Sequence, residues 1–237
     1  MIPIIYEDED VLVLNKPSGL VVHGDGRTKE ETLAHWVLEK YPALRGVGEA
    51  FAGSAGVEIP RPGIVHRLDK ETSGVILLLK NQLAFLHVKK QFQEHTIVKV
   101  YHAFLYGSPK DKQGTISLPI GKSRADFRRR SAEHGASGVL REARTDYRVL
   151  ARGKDASFVE AKPFTGRTHQ VRVHFKAIGH PVVCDKLYAP RRPCILGFSR
   201  LALHASSITF VHPRGETLTV EASFPPDFVR AREELER

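Results

Sequence analysis

The order of apolar and polar positions divides the chain into short elements. Residues 11–14, within DVLVLNK, form an apolar run read as a strand, which Pro17 and Gly19 break before a second short strand at 20–22. Thr28 and Glu31 make a capping-box pattern, after which Leu33, Trp36, Val37 and Tyr41 recur at helical spacing until Pro42. Residues 43–60 are rich in Gly and Ala and have no period, so they form either a surface loop or an insertion that orders on ligand binding. After residues 63–68 comes the branched run 75–79, short enough for a buried strand, and then a predicted helix over 82–94 with Leu83, Leu86 and Phe92 on its inner side.

Strands dominate the second half. An alternating, aromatic-bearing strand is predicted over 97–106, with a turn at 109–114, and further strands over 143–150, 157–162, 181–183, 201–210 and 218–222. Thr168 can cap a helix reaching Ile178, with Gly179 as its stop. The tetrapeptide HPRG at 212–215 reads as a hairpin turn, and 226–237 as a charged amphipathic terminal helix. Strands outnumber helices without regular βαβ alternation, which predicts an α+β fold around a mixed, largely antiparallel sheet with flanking helices. The length, 237 residues, suits one catalytic domain spanning 1–237 better than several modules.

Charge adds a candidate partner. Lys and Arg exceed Asp and Glu by 36 to 27, a net charge of +9 that favours a polyanion such as nucleic acid, although a solvated cationic surface gives the same count. The cations crowd residues 121–130, where Lys122, Arg124, Arg128, Arg129 and Arg130 could follow phosphates, as could Arg191 and Arg192. No apolar run reaches the roughly 20 residues of a membrane span, and the N-terminus turns acidic at once, so a cytoplasmic protein is expected. Cys184 and Cys194 fit neither a disulfide framework nor a close-spaced zinc pair and read as two reduced thiols; no metal site is expected.

The densest chemistry lies in PGIVHRLDKETSGVILLLKN, residues 62–81, where Asp69 stands among His66, Arg67, Lys70, Thr72 and Ser73 between apolar walls. Such a loop, fixed by a buried scaffold, leaves its side chains open to substrate. The string HRLDKETSG resembles the signature of the RluA-type pseudouridine synthases. YHAFLYG at 101–107, GRTHQVRVHFKAIGHPVVCDKLYA at 166–189 and RLALHA at 200–205 are similar to further segments of that family, in the same order. From KPSGLVV at 16–22 to residue 205 the resemblance covers most of the chain.

The resemblance implies isomerisation of uridine to pseudouridine in structured RNA, without a cofactor, in a fold with a central RNA-binding cleft. The glycosidic bond is cut, the uracil turns, and its carbon five joins the ribose. It assigns Asp69 as the catalytic carboxylate, either nucleophile or base. Arg172 would be its cation, Tyr101 would pack against the base, and Leu203 would line the base pocket. A stacked uridine must first be extruded, and Arg67 is the candidate to fill the gap. His66, Arg167 and His169 join the basic segment as candidate RNA contacts. Two positions depart from the family pattern: Cys184 replaces the usual Gly before Asp185, and Ala189 replaces the Gly that often follows Tyr188. With the first strand beginning almost at residue 1, the small RNA-binding domain of many relatives is expected to be missing, and a monomer is the default. Ribosomal RNA of the large subunit is the favoured substrate on family grounds, with transfer RNA open.

Two rivals are a relative that binds RNA without turnover and a hydrolase pairing Asp69 with a histidine. The joint presence of Asp69, Tyr101 and Arg172 opposes the first. No nucleophile elbow, phosphate-binding glycine loop or zinc-hydrolase helix supports the second.

Overall fold

The computed structural model describes residues 2–24, 30–49, 51–52, 58–132 and 136–236. The chain divides into two compact units, residues 1–98 with 207–222, and residues 99–206 with 223–237.

The first unit opens with β1 (Ile4–Glu7) and β2 (Val11–Lys16), followed by α1 (Leu33–Lys40), the short pair β3 (Phe51–Ala52) and β4 (Glu58–Ile59), β5 (Ser73–Leu79) and α2 (Gln82–Gln93). Strand β5 is buried at every position, which is why it reads as a continuous apolar run instead of an alternating one. It pairs with β2 from Val11↔Leu79 to Lys16↔Gly74. Gly63 makes the close approach to its end possible: at φ +65° a Cβ there would lie 2.1 Å from the Leu79 carbonyl oxygen.

The second unit holds most of β6 (Val98–Tyr106), then β7 (Gln113–Ile116), β8 (Ile120–Ser123), β9 (Arg130–Ser131), β10 (Ala136–Arg141), β11 (Thr145–Arg152), β12 (Ala156–Pro163) and α3 (Gln170–Ala177). Strand β13 (Leu203–Val211) contributes its first four residues to this unit and the rest to the first. Strand β14 (Thr217–Glu221) belongs to the first unit and α4 (Pro226–Leu235) to the second. Strand order is β1-β2-β5-β13, with β14 also on β13, in the first unit, and β13-β6-β12-β11-β7 in the second. A separate sheet, β10-β8-β9, carries the basic segment. All strand pairings with a described register are antiparallel, as the α+β expectation requires. Each unit has its own apolar core, one around Val13, Leu77 and Phe85 and one around Phe104, Phe175 and Phe228.

Several local expectations change. The predicted cap Thr28 lies outside the described residues; α1 starts at Leu33, with Thr32 and His35 forming a reciprocal capping pair. Residues 20–22 and 181–183 contribute single bridges, Val21↔Thr32 and Leu105↔Val182, instead of strands. Within 43–60 a short 3₁₀ turn, Pro42–Gly46, and the β3–β4 pair are formed. Helix α2 is present but rotated from its predicted phase. Ala84, Phe85, Val88 and Gln91 face inward, while Leu83 is 82% exposed and Leu86 50% exposed. Thr168 does not cap α3; His169 takes that position in a left-handed conformation, φ +59°, and the Gln170 side chain accepts from the Arg167 N–H instead.

Candidate active site and basic surface

In the first unit Asp69 sits half-buried on a turn closed by the Thr72 N–H donating to its carbonyl at 3.1 Å. A clamp from residues 16–20 holds this turn. Lys16 is fully buried at the end of β2, and its Nζ donates to the carbonyls of Pro17 at 2.8 Å, Leu20 at 2.8 Å and Lys70 at 3.0 Å. The Gly19 N–H donates to the same Lys70 carbonyl at 2.9 Å, and Ser18 Oγ donates to the Glu71 carbonyl at 2.7 Å. A buried ammonium is tolerated only where it is densely hydrogen-bonded, so Lys16 ties the KPSGL segment to the backbone beside Asp69.

His66 has a structural task here. Its Nε2 accepts from the Leu77 N–H at 2.9 Å, and its ring stacks on Phe92. Arg67 is exposed and approaches His23 Nε2 at 3.4 Å. Burial, helped by the nearby Arg61 and Arg67 charges and opposed by the Gly24 carbonyl, pushes the His23 imidazole below its ordinary range. A neutral imidazole can accept from Arg67.

In the second unit Tyr101, on β6 opposite Ala161, packs against the core that contains the buried Leu203. Arg172 on α3 is buried, 7% exposed. Its Nε and Nη2 donate to Oδ2 and Oδ1 of Asp185, both at 2.8 Å, in a two-pronged pair. Asp185 is itself 1% exposed, and its Oδ1 also accepts from the N–H groups of Leu187 and Tyr188, each at 3.0 Å. The Arg172 guanidinium lies over the Tyr188 ring, 5.0 Å from its centroid. The Tyr188 hydroxyl accepts from the Arg130 N–H and meets His169 Nδ1, both at 2.9 Å. The cation expected to serve Asp69 is therefore held by a second carboxylate. Reading the sequence missed Asp185, because nothing in a single Asp marks it as a partner for a residue thirteen positions earlier.

The cysteines correct an expectation: they form a disulfide, Cys184–Cys194, instead of two thiols. Tyr106 brings them together: its hydroxyl accepts from the Cys184 N–H at 3.1 Å and donates to the Pro193 carbonyl at 2.6 Å, strapping both ends of the 184–194 loop. Cys184 adopts φ +57°, the left-handed conformation for which the family's usual Gly is suited.

The basic segment separates into two sets. Arg128 makes paired hydrogen bonds to Asp126, and Arg129 lies 3.3 Å from the same carboxylate, which these arginines hold down at about pKa 2. Lys122 and Arg130, with Arg141 and Arg167, line one cavity. Arg124 is exposed beside them in the chain. Lys99, also missed, donates from Nζ to the Thr165 carbonyl at 3.2 Å, and burial pushes its amine down to about 8. No group of three metal-binding side chains occurs among the described residues.

An α+β fold of antiparallel sheets, a clamped aspartate turn and a net charge of +9 suit a protein that acts on a polyanion. The family model for RNA pseudouridylate synthase matches residues 10–177, so the chain belongs to that family. An uncharacterised RNA pseudouridine synthase of Synechocystis is 40% identical over 95% of this chain and 66% of its own length. Ribosomal large subunit pseudouridine synthase D of Zymomonas mobilis is 36% identical over 94% and 69%. Among solved structures, human RNA pseudouridylate synthase domain containing 1 superimposes with a TM-score of 0.74 at 29% identity, over 95% of this chain and 84% of its own. The chain spans about two thirds of the length of these two curated relatives.

Proposed function

We propose that the chain isomerises uridine to pseudouridine in RNA, with Asp69 as the essential carboxylate and without a cofactor. The observation that carries this reading is the clamped Asp69 turn, which lies inside the family-matched segment together with Tyr101 and Arg172. In this reading residues 1–237 form a single catalytic domain that acts on one extruded uridine. Asp69 attacks the nucleoside or takes a proton from its ribose; Tyr101 and Leu203 supply an apolar face for the uracil; Arg172, fixed by Asp185, supplies hydrogen-bond donors. Arg67 fills the gap the uridine leaves. Lys122, Arg124, Arg128, Arg129, Arg130, Arg167, His66 and His169 are proposed RNA contacts, of which Lys122, Arg130 and Arg167 share a cavity.

Large-subunit ribosomal RNA is the proposed substrate, since relatives over most of this chain carry the name ribosomal large subunit pseudouridine synthase C or D. That substrate would place the protein, as a monomer, in the cytoplasm. Among the described residues no helix is long and apolar enough to cross a membrane. The disulfide runs against a reducing compartment.

Pseudouridine mapping by adduct-dependent stops of reverse transcriptase tests the reading in cells. A stop in ribosomal RNA is expected to vanish on deletion of the gene, return with the unaltered gene and stay absent with Asp69→Asn. A full set of stops in the deletion strain would overturn it.

A further inference from the structure

The cavity between the β8–β9–β10 sheet and the segment leading into α3 has a volume of about 530 Å³ and lies within the second unit. Lys122 of β8, Arg130 of β9, Arg141 of β10 and Arg167 line it, and no Asp or Glu is among its lining residues. Several cations elsewhere in this unit have acidic partners: Arg128 and Arg129 sit on Asp126, Arg144 on Asp146, Arg148 on Glu160. Among the described residues none of the four cavity cations has one; Arg167 and Arg130 instead donate to the backbone carbonyls of Glu142 and Arg129. Four like charges around one hollow raise the local potential, and an anion relieves it.

The walls also suit something larger than a simple ion. Val139 lines the cavity and is 80% exposed, a branched apolar side chain left in water on β10. Gly121 lets β10 close over β8: a Cβ there would meet Leu140 Cδ2 at 2.8 Å and the Ser137 carbonyl oxygen at 2.9 Å. Asp69, Tyr101, Arg172 and Leu203 are not among the lining residues.

We infer that this cavity is a subsite for an RNA nucleotide other than the reacting one, its phosphodiesters held by the four cations and its sugar or base laid on Val139. The inference rests on the RNA-directed reading above and deepens it, adding Arg141 and Val139 to the interface. Arg130 also places the subsite next to the Arg172 support, because its N–H is bonded to the hydroxyl of the tyrosine under that guanidinium.

The test uses the full chain, a fluorescent twelve-nucleotide oligouridylate for binding, and a ribosomal RNA transcript tritiated at uridine carbon five for single turnover. Arg141→Gln and Val139→Asp are each expected to weaken oligouridylate binding at least fivefold at low salt. Arg141→Gln should also lower the salt slope by about 0.7, the value for one phosphate contact on a single strand. The turnover rate at saturating transcript should stay within about twofold of the parent's, and the melting temperature should not change. Arg232→Gln, on α4 and paired with Glu236, should alter neither binding nor turnover. Binding within twofold of the parent for both cavity variants would overturn the subsite, as would loss of turnover at saturating RNA with binding intact. Failure of the isomerase reading is separately visible, as an absence of turnover in the parent while oligouridylate still binds.

Discussion

The two units each bury a cation beside residues assigned to the chemistry, and they do so with opposite partners. In the first, the Lys16 ammonium donates to three backbone carbonyls and so ties residues 16–20 to the backbone beside Asp69. In the second, the Arg172 guanidinium is matched by the Asp185 carboxylate, which cancels its charge and fixes its plane. The carbonyl clamp fits a turn that has to be held in place, because one ammonium with three donors can tie several backbone segments together. The ion pair fits a site whose arginine serves as an oriented set of donors more than as a net charge. A buried cation can thus tie a turn down through backbone carbonyls or be held as an oriented fork by a carboxylate, and its partner decides which.

Substitutions that remove each partner should pull this contrast apart. The largest effect is expected for Lys16→Met, which keeps bulk but strands buried carbonyls of Pro17, Leu20 and Lys70. A loss of more than about 3 kcal/mol in urea unfolding, with turnover falling even under conditions where the protein stays folded, is the expected result. A melting curve equal to the parent's would mean the clamp is dispensable. Asp185→Asn should come next. It breaks a buried pair, at a cost of about 3 kcal/mol, and should lower the rate at saturating RNA roughly tenfold or more while RNA affinity stays within about twofold. Asp185→Glu should restore part of that rate, whereas an affinity loss with an unchanged rate would assign Arg172 to binding.

The smallest effect is a pH dependence. His102 on β6 bonds to Ser206 and stacks on Phe158, and burial pushes its imidazole down to about 4. A folded-state value below the ordinary 6.5 means that the unfolded chain takes the proton first as pH falls. This group's contribution is whole above pH 6.5 and declines as pH falls toward 4, by at most about 3 kcal/mol and less where water reaches the ring. Urea midpoints should therefore drop over that window in the parent and drop less in His102→Gln. Equal slopes would remove His102 from the account.

Elements carried by composition were legible in the sequence: the all-buried β5, the apolar β2, the aromatic β6 and the terminal helix α4 with Phe228, Ala231 and Leu235 inward. The phase of α2 was not, because leucines at 83 and 86 outweigh Ala84 and Gln91 in any apolar count, yet packing selects the stripe that fits beneath β5. The Asp69 loop was found through its family signature, while its support was not. A lysine before a proline carries no mark of full burial, and Asp185 gains its partner only once α3 is laid beside the 184–194 loop. The disulfide was misread for a related reason. Cysteine spacing said nothing of Tyr106, which straps the loop from a distant strand.

The most direct measurement of the central claim follows both products of one reaction: the purified chain acting on ribosomal RNA tritiated at uridine carbon five. Joining carbon five to the ribose expels its hydrogen, while the ring nitrogen freed from the sugar gains one, so the RNA keeps its composition. Tritium is expected in water with no free uracil and no strand loss, and Asp69→Asn should abolish the release while still binding the transcript. Free uracil would make the protein a hydrolase, and tritium release undiminished in Asp69→Asn would take the chemistry away from Asp69.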